Sequence, residues 1–109
     1  MIEIPKEQVK RAVRTNLETI VLSLLLQKPT NGYKMMQRIY WRYGVKFSTG
    51  TFYPALYKLK GRGLVKILNT KSHCKIYGLT PEGAIYAKKS IKEFINGYKF
   101  LVDLLEEGG

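Results

Sequence analysis

Cysteine and histidine are nearly absent from this sequence, which has one of each among its 109 residues. A lone thiol at Cys74 has no partner for an internal disulfide, and with His73 as its only companion it does not make a zinc site. The two residues do not form a catalytic dyad either, because neighbouring residues of a strand point to opposite faces. Carboxylates cluster only at Glu106 and Glu107. The sequence therefore argues against an enzyme and predicts no bound metal or other cofactor.

Long hydrophobic runs are also missing. The longest apolar stretch, IVLSLLL at residues 20–26, is far shorter than the roughly 20 residues that a membrane-spanning helix needs. The opening MIEIPKEQVKR is too polar for a secretory signal. These features predict a cytoplasmic protein without a membrane partner. Because no repeat and no Ser-rich or Pro-rich segment interrupts the chain, we expect one compact unit.

Negative charge is missing from the middle of the chain. Between Thr19 and Pro81 there is no aspartate or glutamate, whereas the flanks together hold eight basic and eight acidic residues. The net charge of +11 therefore lies on eleven central residues, which are Lys28, Lys34, Arg38, Arg42, Lys46, Lys58, Lys60, Arg62, Lys66, Lys71 and Lys75. A surface built only for solubility would mix the signs, so this segregation predicts a polyanionic partner. A generally basic proteome is the alternative, but it would not leave the flanks neutral.

Apolar residues at helical spacing predict one helix or two consecutive helices from Lys6 to about Lys28. Thr15 and Glu18 have the spacing of a capping box, which would restart the helix near Asn16. A second helical region follows over residues 32–43. It has Asn31 as an N-cap candidate and ends at Gly44.

The third helix is predicted from a cap at Ser48 or Thr49 to Arg62 and ends at Gly63. Strands then follow at residues 64–68 and 75–79, separated by a polar tip at residues 69–73. Thr80 and Pro81 signal the start of a last helix of about 26 residues, at the usual rise of about 1.5 Å per residue.

This order predicts a mainly α fold with a small β-hairpin, namely a winged helix-turn-helix with an added C-terminal dimerisation helix. Residues 1–80 would form the DNA-binding part with the N-terminal helix. Residues 81–109 would form the dimerisation helix of the same compact unit.

The third helix presents the candidate DNA-contacting face. Phe52, Leu56 and Leu59 form the stripe that should seat it on the core. The remaining candidates are polar, aromatic or basic: Ser48, Thr49, Thr51, Tyr53, Tyr57, Lys58, Lys60 and Arg62 on this helix, Lys71, His73 and Lys75 in the hairpin, and Lys34 on the second helix. Hydroxyls and free amides at a helix start suit phosphate, and lysines suit the DNA backbone. The alternatives are that the hydroxyls only cap the helix, that the tyrosines are core rings, and that the lysines are solvated.

The last helix has an apolar stripe that continues beyond what a small domain can cover. It predicts a homodimer interface formed with the N-terminal helix, comprising Val9, Val13, Leu17, Ala87, Ile91, Phe94, Tyr98, Leu101 and Leu105. The alternative is a helix folded back on its own core. The pattern does not fix parallel or antiparallel pairing.

Several motifs resemble the PadR family of winged-helix transcriptional regulators, in its short subgroup with one helix after the wing. They are IVLSLLL followed by Asn31-Gly-Tyr33, STGTFYPAL at residues 48–56, and LTPEG at residues 79–83. The resemblance implies dimerisation through the first and last helices. It also implies DNA contact at Tyr33, Ser48, Thr49, Thr51, Tyr53, Lys58 and Lys75. Phe94 matches a position where some members place an aromatic facing a dimer-centre cavity for flat hydrophobic effectors.

The sequence departs from that family in two places. Lys60-Gly-Arg62 replaces the acidic stretch that members usually have after the second leucine of the third, DNA-recognition helix, and the tip of the hairpin is short. Extra charge would raise nonspecific affinity. We expect a sequence-specific regulator, most simply a repressor, that binds a pseudo-palindromic operator of double-stranded DNA as a homodimer. The alternatives are a nonspecific architectural protein and a ligand-sensing module that no longer binds DNA, and the basic segment argues against the second.

Overall fold

Helices and one β-hairpin make up the computed structural model, which describes residues 5–71 and 73–108, apart from the side chain of Lys71. The elements in chain order are α1 (Lys6–Thr15), α2 (Leu17–Gln27), α3 (Gly32–Tyr43), α4 (Thr49–Gly61), β1 (Val65–Lys71), β2 (Cys74–Leu79) and α5 (Pro81–Gly108). This order confirms the predicted winged helix-turn-helix with an added C-terminal helix. The first helical region contains two helices, so α4 is the predicted third helix.

The break between α1 and α2 occurs at Asn16, as predicted, but by a different contact. The Thr15 hydroxyl donates to the Arg11 carbonyl at 3.0 Å, and the Asn16 side-chain amide donates to the Ala12 carbonyl at 2.7 Å. Both side chains therefore turn back onto the end of α1. The prediction of a capping box between Thr15 and Glu18 is wrong, because the Thr15 hydroxyl is used on α1 and Glu18 faces α4.

The boundaries of α3 follow the local signals in the sequence. Asn31 Oδ1 accepts a hydrogen bond from the Lys34 amide at 2.7 Å, which caps the start of α3. Gly44 ends the helix with φ of 73°, a left-handed conformation that glycine adopts without steric cost.

The hairpin, hereafter the wing, has longer strands than the sequence predicted. Val65 pairs with Leu79, and Lys71 pairs with Cys74. A bulge between Ile67 and Asn69 shifts the register. The prediction of a five-residue tip at residues 69–73 is therefore wrong. Polar residues are typical of a loop, but they also fit a strand in a two-stranded ribbon that is exposed to solvent. The wing is anchored to the loop before α3, where the Tyr77 amide donates to the Thr30 carbonyl at 2.8 Å.

The core lies where α1 to α4, the base of the wing and the first half of α5 meet. Its buried side chains are Val13, Leu17, Val21, Leu22, Leu25, Met35, Ile39, Val45, Phe52, Leu56, Leu59, Leu64, Val65, Tyr77 and Ala87. Three of them, Val13, Leu17 and Ala87, were predicted to lie in a dimer interface. A single chain already buries most of the surface of these side chains, and their place in a dimer interface stays a prediction.

The start of α5 is fixed tightly to the end of α4. The Thr80 hydroxyl donates to the Gly63 carbonyl at 2.6 Å and accepts from the Gly83 amide at 2.9 Å. A Cβ at position 83 would overlap the carbonyl oxygen of Leu64. The close approach of α5 to the α4–β1 junction therefore requires glycine at this position.

Candidate nucleic-acid interface

Helix α4 is held by one buried face and presents two flanks. Phe52, Leu56 and Leu59 are fully buried. At 3.6 residues per turn, Tyr53 and Tyr57 fall on one flank of this stripe, and Lys58 falls on the other. The two flanks have different neighbours, which gives the predicted residues different roles.

The tyrosine flank faces the wing across a pocket of about 300 Å³. The pocket brings together Tyr33, Tyr53, Tyr57, His73 and Lys75 from the predicted set. It is also lined by Asn31, Gly32, Cys74 and Tyr77. The beginning of α3, one side of α4 and the wing tip therefore form a continuous surface.

Tyr53 is half-buried because its ring lies against the first residue of α3. A Cβ on Gly32 would be 2.7 Å from the Tyr53 hydroxyl oxygen. Burial raises the pKa of Tyr53, and the neighbouring Tyr57 hydroxyl raises it further. Burial also raises the pKa of Tyr77 to about 12. These phenols therefore remain neutral near pH 7, and Tyr53 can donate a hydrogen bond to a phosphate or a base.

The N-terminus of α4 is open to an acceptor from outside the chain. Ser48, Thr49 and Thr51 are exposed, and among the described residues no side chain caps this helix. The Ser48 hydroxyl instead donates to Thr51 Oγ1 at 3.1 Å. First-turn amides without intrahelical partners attract anions such as phosphate. For Ser48, the structure therefore contradicts the alternative that the hydroxyl only caps the helix.

The opposite flank carries an acid that the sequence reasoning missed. Glu18 on α2 places Oε2 3.8 Å from Lys58 Nζ and Oε1 3.7 Å from Arg62 Nη1. Glu18 directly precedes the acid-free segment, and only tertiary packing brings it to α4. No local feature of the sequence signals this contact.

Arg62 is engaged within the molecule. Its guanidinium carbon lies 4.8 Å from the centre of the Tyr86 ring on α5. A hydrogen bond to Tyr86 raises the pKa of Arg62, and the same bond lowers the pKa of Tyr86. Arg62 would have to leave Tyr86 and Glu18 to bind a phosphate, and its role as a DNA contact stays a prediction.

The other basic candidates are dispersed. Lys60 is exposed on α4, and Lys34 lies beside Lys28, Thr30 and Arg38, outside the tyrosine pocket. The side chain of Lys71 lies outside the described residues. Within the described ranges no group of three His, Cys, Asp or Glu side chains is placed to hold a metal. No helix found there has both the length and the apolar character to cross a membrane.

Residues 21–89 match the model of a family described as the transcriptional regulator PadR-like family. The chain belongs to this family. It is therefore a PadR-like, DNA-binding transcriptional regulator, from a family whose members are regulators rather than enzymes.

Solved structures agree with this membership. A transcriptional regulator from Clostridium thermocellum is 26% identical, with a TM-score of 0.74 over 85% of this chain and 93% of that one. A PadR family regulator from Clostridium difficile is 25% identical, with a TM-score of 0.72 over 83% and 98% of the two chains. A PadR-like regulator from Bacillus cereus shares the fold at 20% identity and a TM-score of 0.76, over 87% and 96%. Among curated proteins, none matches this chain.

The PadR-like chain has a second surface, which is apolar, between α1 and α5. A groove of about 280 Å³ is lined by Val9, Ala12, Val13, Ile20, Tyr43, Phe94 and Tyr98. The Phe94 and Tyr98 rings lie 4.9 Å apart. Farther along α5, Leu101 and Leu105 are 54% and 64% exposed. The residues predicted to form the dimer interface therefore fall into three groups, which are buried in the core, line this groove or are exposed on α5.

Proposed function

We propose that this PadR-like chain is a sequence-specific regulator that binds a pseudo-palindromic operator, most simply as a repressor. One observation carries the proposal. The tyrosine flank of α4 shares a continuous surface with the start of α3 and the wing. That surface lies in a segment without any acidic residue.

In this arrangement α4 enters the major groove, and the wing lies along the DNA backbone. Ser48, Thr49 and Thr51 meet a phosphate or a base edge at the helix start. The tyrosine hydroxyls donate to phosphates while their rings pack. The remaining contacts are expected from Tyr33, Lys34, Lys58, Lys60, Arg62, Lys71, His73 and Lys75.

A homodimer would place two copies of α4 in successive major grooves, with centres about 34 Å apart. The exposed apolar residues of α5 support this proposal, since water would otherwise face Ile95, Leu101 and Leu105. Residues 81–109 would then serve as the dimerisation helix. Ile91, Phe94 and Tyr98, together with Val9 on α1, would complete the interface.

The groove lined by Phe94 suits a small, flat hydrophobic effector. Its lining is almost entirely apolar, and two aromatic rings form one wall. An effector there would contact α1, α3 and α5 together. Its binding would therefore change the distance or angle between the two copies of α4 in the proposed dimer.

The test is gel retardation of a duplex from the chain's own upstream region, with the double variant Tyr57→Phe, Lys60→Ala. Both side chains are exposed on α4, so the fold should be unaffected. We expect affinity to fall about tenfold or more, because hydrogen bonds and ion pairs to phosphate are lost. The matched control is Lys88→Ala, which removes one exposed charge from α5. Full binding by the double variant would exclude α4 from the interface.

The alternative is a nonspecific architectural protein that uses the same basic surface. It is favoured by the lysines on α4, because lysines typically bind phosphates rather than bases. A large excess of random duplex separates the two functions. A regulator keeps its operator under this competition, and an architectural protein does not.

A further inference from the structure

An exposed aromatic groove on α3 shares only Tyr33 and Thr49 with the surfaces described above. It has a volume of about 510 Å³ and is lined by Tyr33, Met36, Gln37, Tyr40, Trp41, Lys46, Phe47 and Thr49. The side chains of Trp41, Tyr33 and Tyr40 are 80%, 63% and 48% exposed. Contiguous exposed aromatic surface of this kind marks a binding site.

The fold does not need these rings. Helix α3 is held by Met35 and Ile39, which are buried on its opposite face. Tyr40 and Trp41 contact each other edge to face at 5.8 Å. Gln37 Nε2 donates to the Tyr33 hydroxyl at 3.1 Å. The rings are thus held in place by neighbours on the same helix while they remain open to solvent.

The charge around the groove selects an anionic occupant. Lys46 is the cation that lines it. Lys34, Arg38 and Arg42 are exposed farther around α3, where they line neighbouring pockets. No acidic residue occurs between Thr19 and Pro81 to balance them. An acidic peptide would satisfy the charge but offers few planar groups to cover three aromatic side chains.

An unpaired nucleic-acid strand meets both requirements. Its phosphates suit the cations, and its bases stack on aromatic rings, whereas a duplex hides its base faces in its own stack. The groove also contains Thr49 and Tyr33, which border the proposed duplex surface. A strand that leaves a duplex held by α4 could therefore continue into the groove.

We propose that the groove formed by Tyr33, Tyr40, Trp41, Lys46 and Phe47 binds an unpaired nucleic-acid strand by base stacking. This activity goes beyond duplex binding by α4 and the wing. It gives the regulator a means to hold a strand that has separated from the double helix.

The first measurement uses the fluorescence of Trp41, which is the only tryptophan in the chain. We expect oligothymidylate to quench this fluorescence to saturation, because a base stacks on the indole. An abasic oligomer of the same length and charge should quench it weakly. Equal quenching by the abasic oligomer, or none by oligothymidylate, would overturn the proposal.

The second measurement is the fluorescence anisotropy of labelled oligothymidylate with variants of the groove. Trp41→Ala and Tyr40→Ala should each weaken its binding about tenfold, the size expected for loss of one stacking partner. Operator duplex retardation should be unchanged. Ile85→Ala is the matched control, because Ile85 is an apolar residue on α5 that is 71% exposed. This variant should bind oligothymidylate as the wild type does.

Two further outcomes distinguish strand binding in this groove from duplex binding by α4 and from a contact between protein chains. The Tyr57→Phe, Lys60→Ala variant should lose the duplex and keep oligothymidylate, so the two proposals can fail independently. If Trp41→Ala and Tyr40→Ala leave oligothymidylate binding intact and instead change the sedimentation of the protein, the groove is a contact between protein chains, and the proposal is wrong.

Discussion

Glu18 shows how a single residue changes the reading of the charge pattern. Along the sequence, the acid-free segment gives Lys58 and Arg62 free positive charges. In the fold, Glu18 lies 3.8 Å and 3.7 Å from them. Lys58 and Lys60 of α4 are therefore not equivalent, because Lys58 must leave Glu18 before it can bind a phosphate.

Substitution of this carboxylate should strengthen DNA binding. Glu18→Gln removes the competing charge beside Lys58, so we expect higher operator affinity and a salt dependence that is steeper by about one counterion per subunit. The cost in stability should be small, since such partly exposed ion pairs contribute about 1 kcal/mol or less. Binding measured over a series of salt concentrations checks this. Glu93→Gln, with the same change of net charge on α5, is the control, and an equal effect of both variants would contradict the local explanation.

Tyr77 links the pocket to stability at high pH. Its pKa is raised from 10.0 to about 12, mainly by burial. A raised pKa means that the unfolded chain loses this proton first, so the stabilising contribution is complete below pH 10.0 and is lost as pH rises toward about 12. The free energy of unfolding should therefore fall over that range. Denaturant titrations at several pH values test this, and Tyr77→Phe should reduce the slope. An unchanged slope would contradict the assignment.

At the scale of elements, local signals in the sequence predicted most boundaries. Asn31 and Gly44 delimit α3, and Thr80 caps α5, because each side chain or backbone conformation acts within one helical turn. The wing strands were predicted too short, because polar residues on an exposed ribbon look like a loop. The position of Glu18 could not be predicted, since it depends on how α2 packs against α4. The tyrosine pocket required the wing, whose placement depends on the long-range contact between Thr30 and Tyr77.

The junction of α4, β1 and α5 gives a prediction about one glycine. Gly83→Ala would drive a methyl group into the Leu64 carbonyl, where backbone rather than a flexible side chain must move. We expect a loss of roughly 1–3 kcal/mol, the usual cost of overpacking. Gly97→Ala on the same helix is the control, since nothing lies within 4 Å of its added Cβ, and it should gain up to about 1 kcal/mol. Chemical denaturation measures both, and equal stabilities would contradict the packing described here.

At the scale of the whole molecule, the elongated shape places the proposed dimer interface and the proposed DNA surface on different parts of the chain. The longest dimension is 54 Å against 27 and 20 Å for the others, and α5 at 28 residues would span about 42 Å of length. Its first half belongs to the core, while its second half exposes leucines to solvent. The proposed dimer therefore depends on the far end of α5, and the DNA surface depends on α4 and the wing.

Charge on the exposed part of α5 should separate the subunits. Leu101→Lys with Leu105→Lys places two cations in the proposed interface, where burying them is costly. We expect a folded monomer, because both side chains are exposed in the single chain. Sedimentation velocity measures the mass. Ile85→Lys, on the same helix, is the control and should sediment as the wild type does. If the double variant still sediments as a dimer, the interface does not lie at Leu101 and Leu105.

The most direct measurement is hydroxyl-radical footprinting of the purified protein on its own upstream region, in a large excess of random duplex. We predict two protected segments related by a two-fold axis, with centres about 34 Å apart. Protection should be lost in the Tyr57→Phe, Lys60→Ala variant. Protection spread evenly along the duplex, or an unchanged footprint with that variant, would contradict sequence-specific binding by α4.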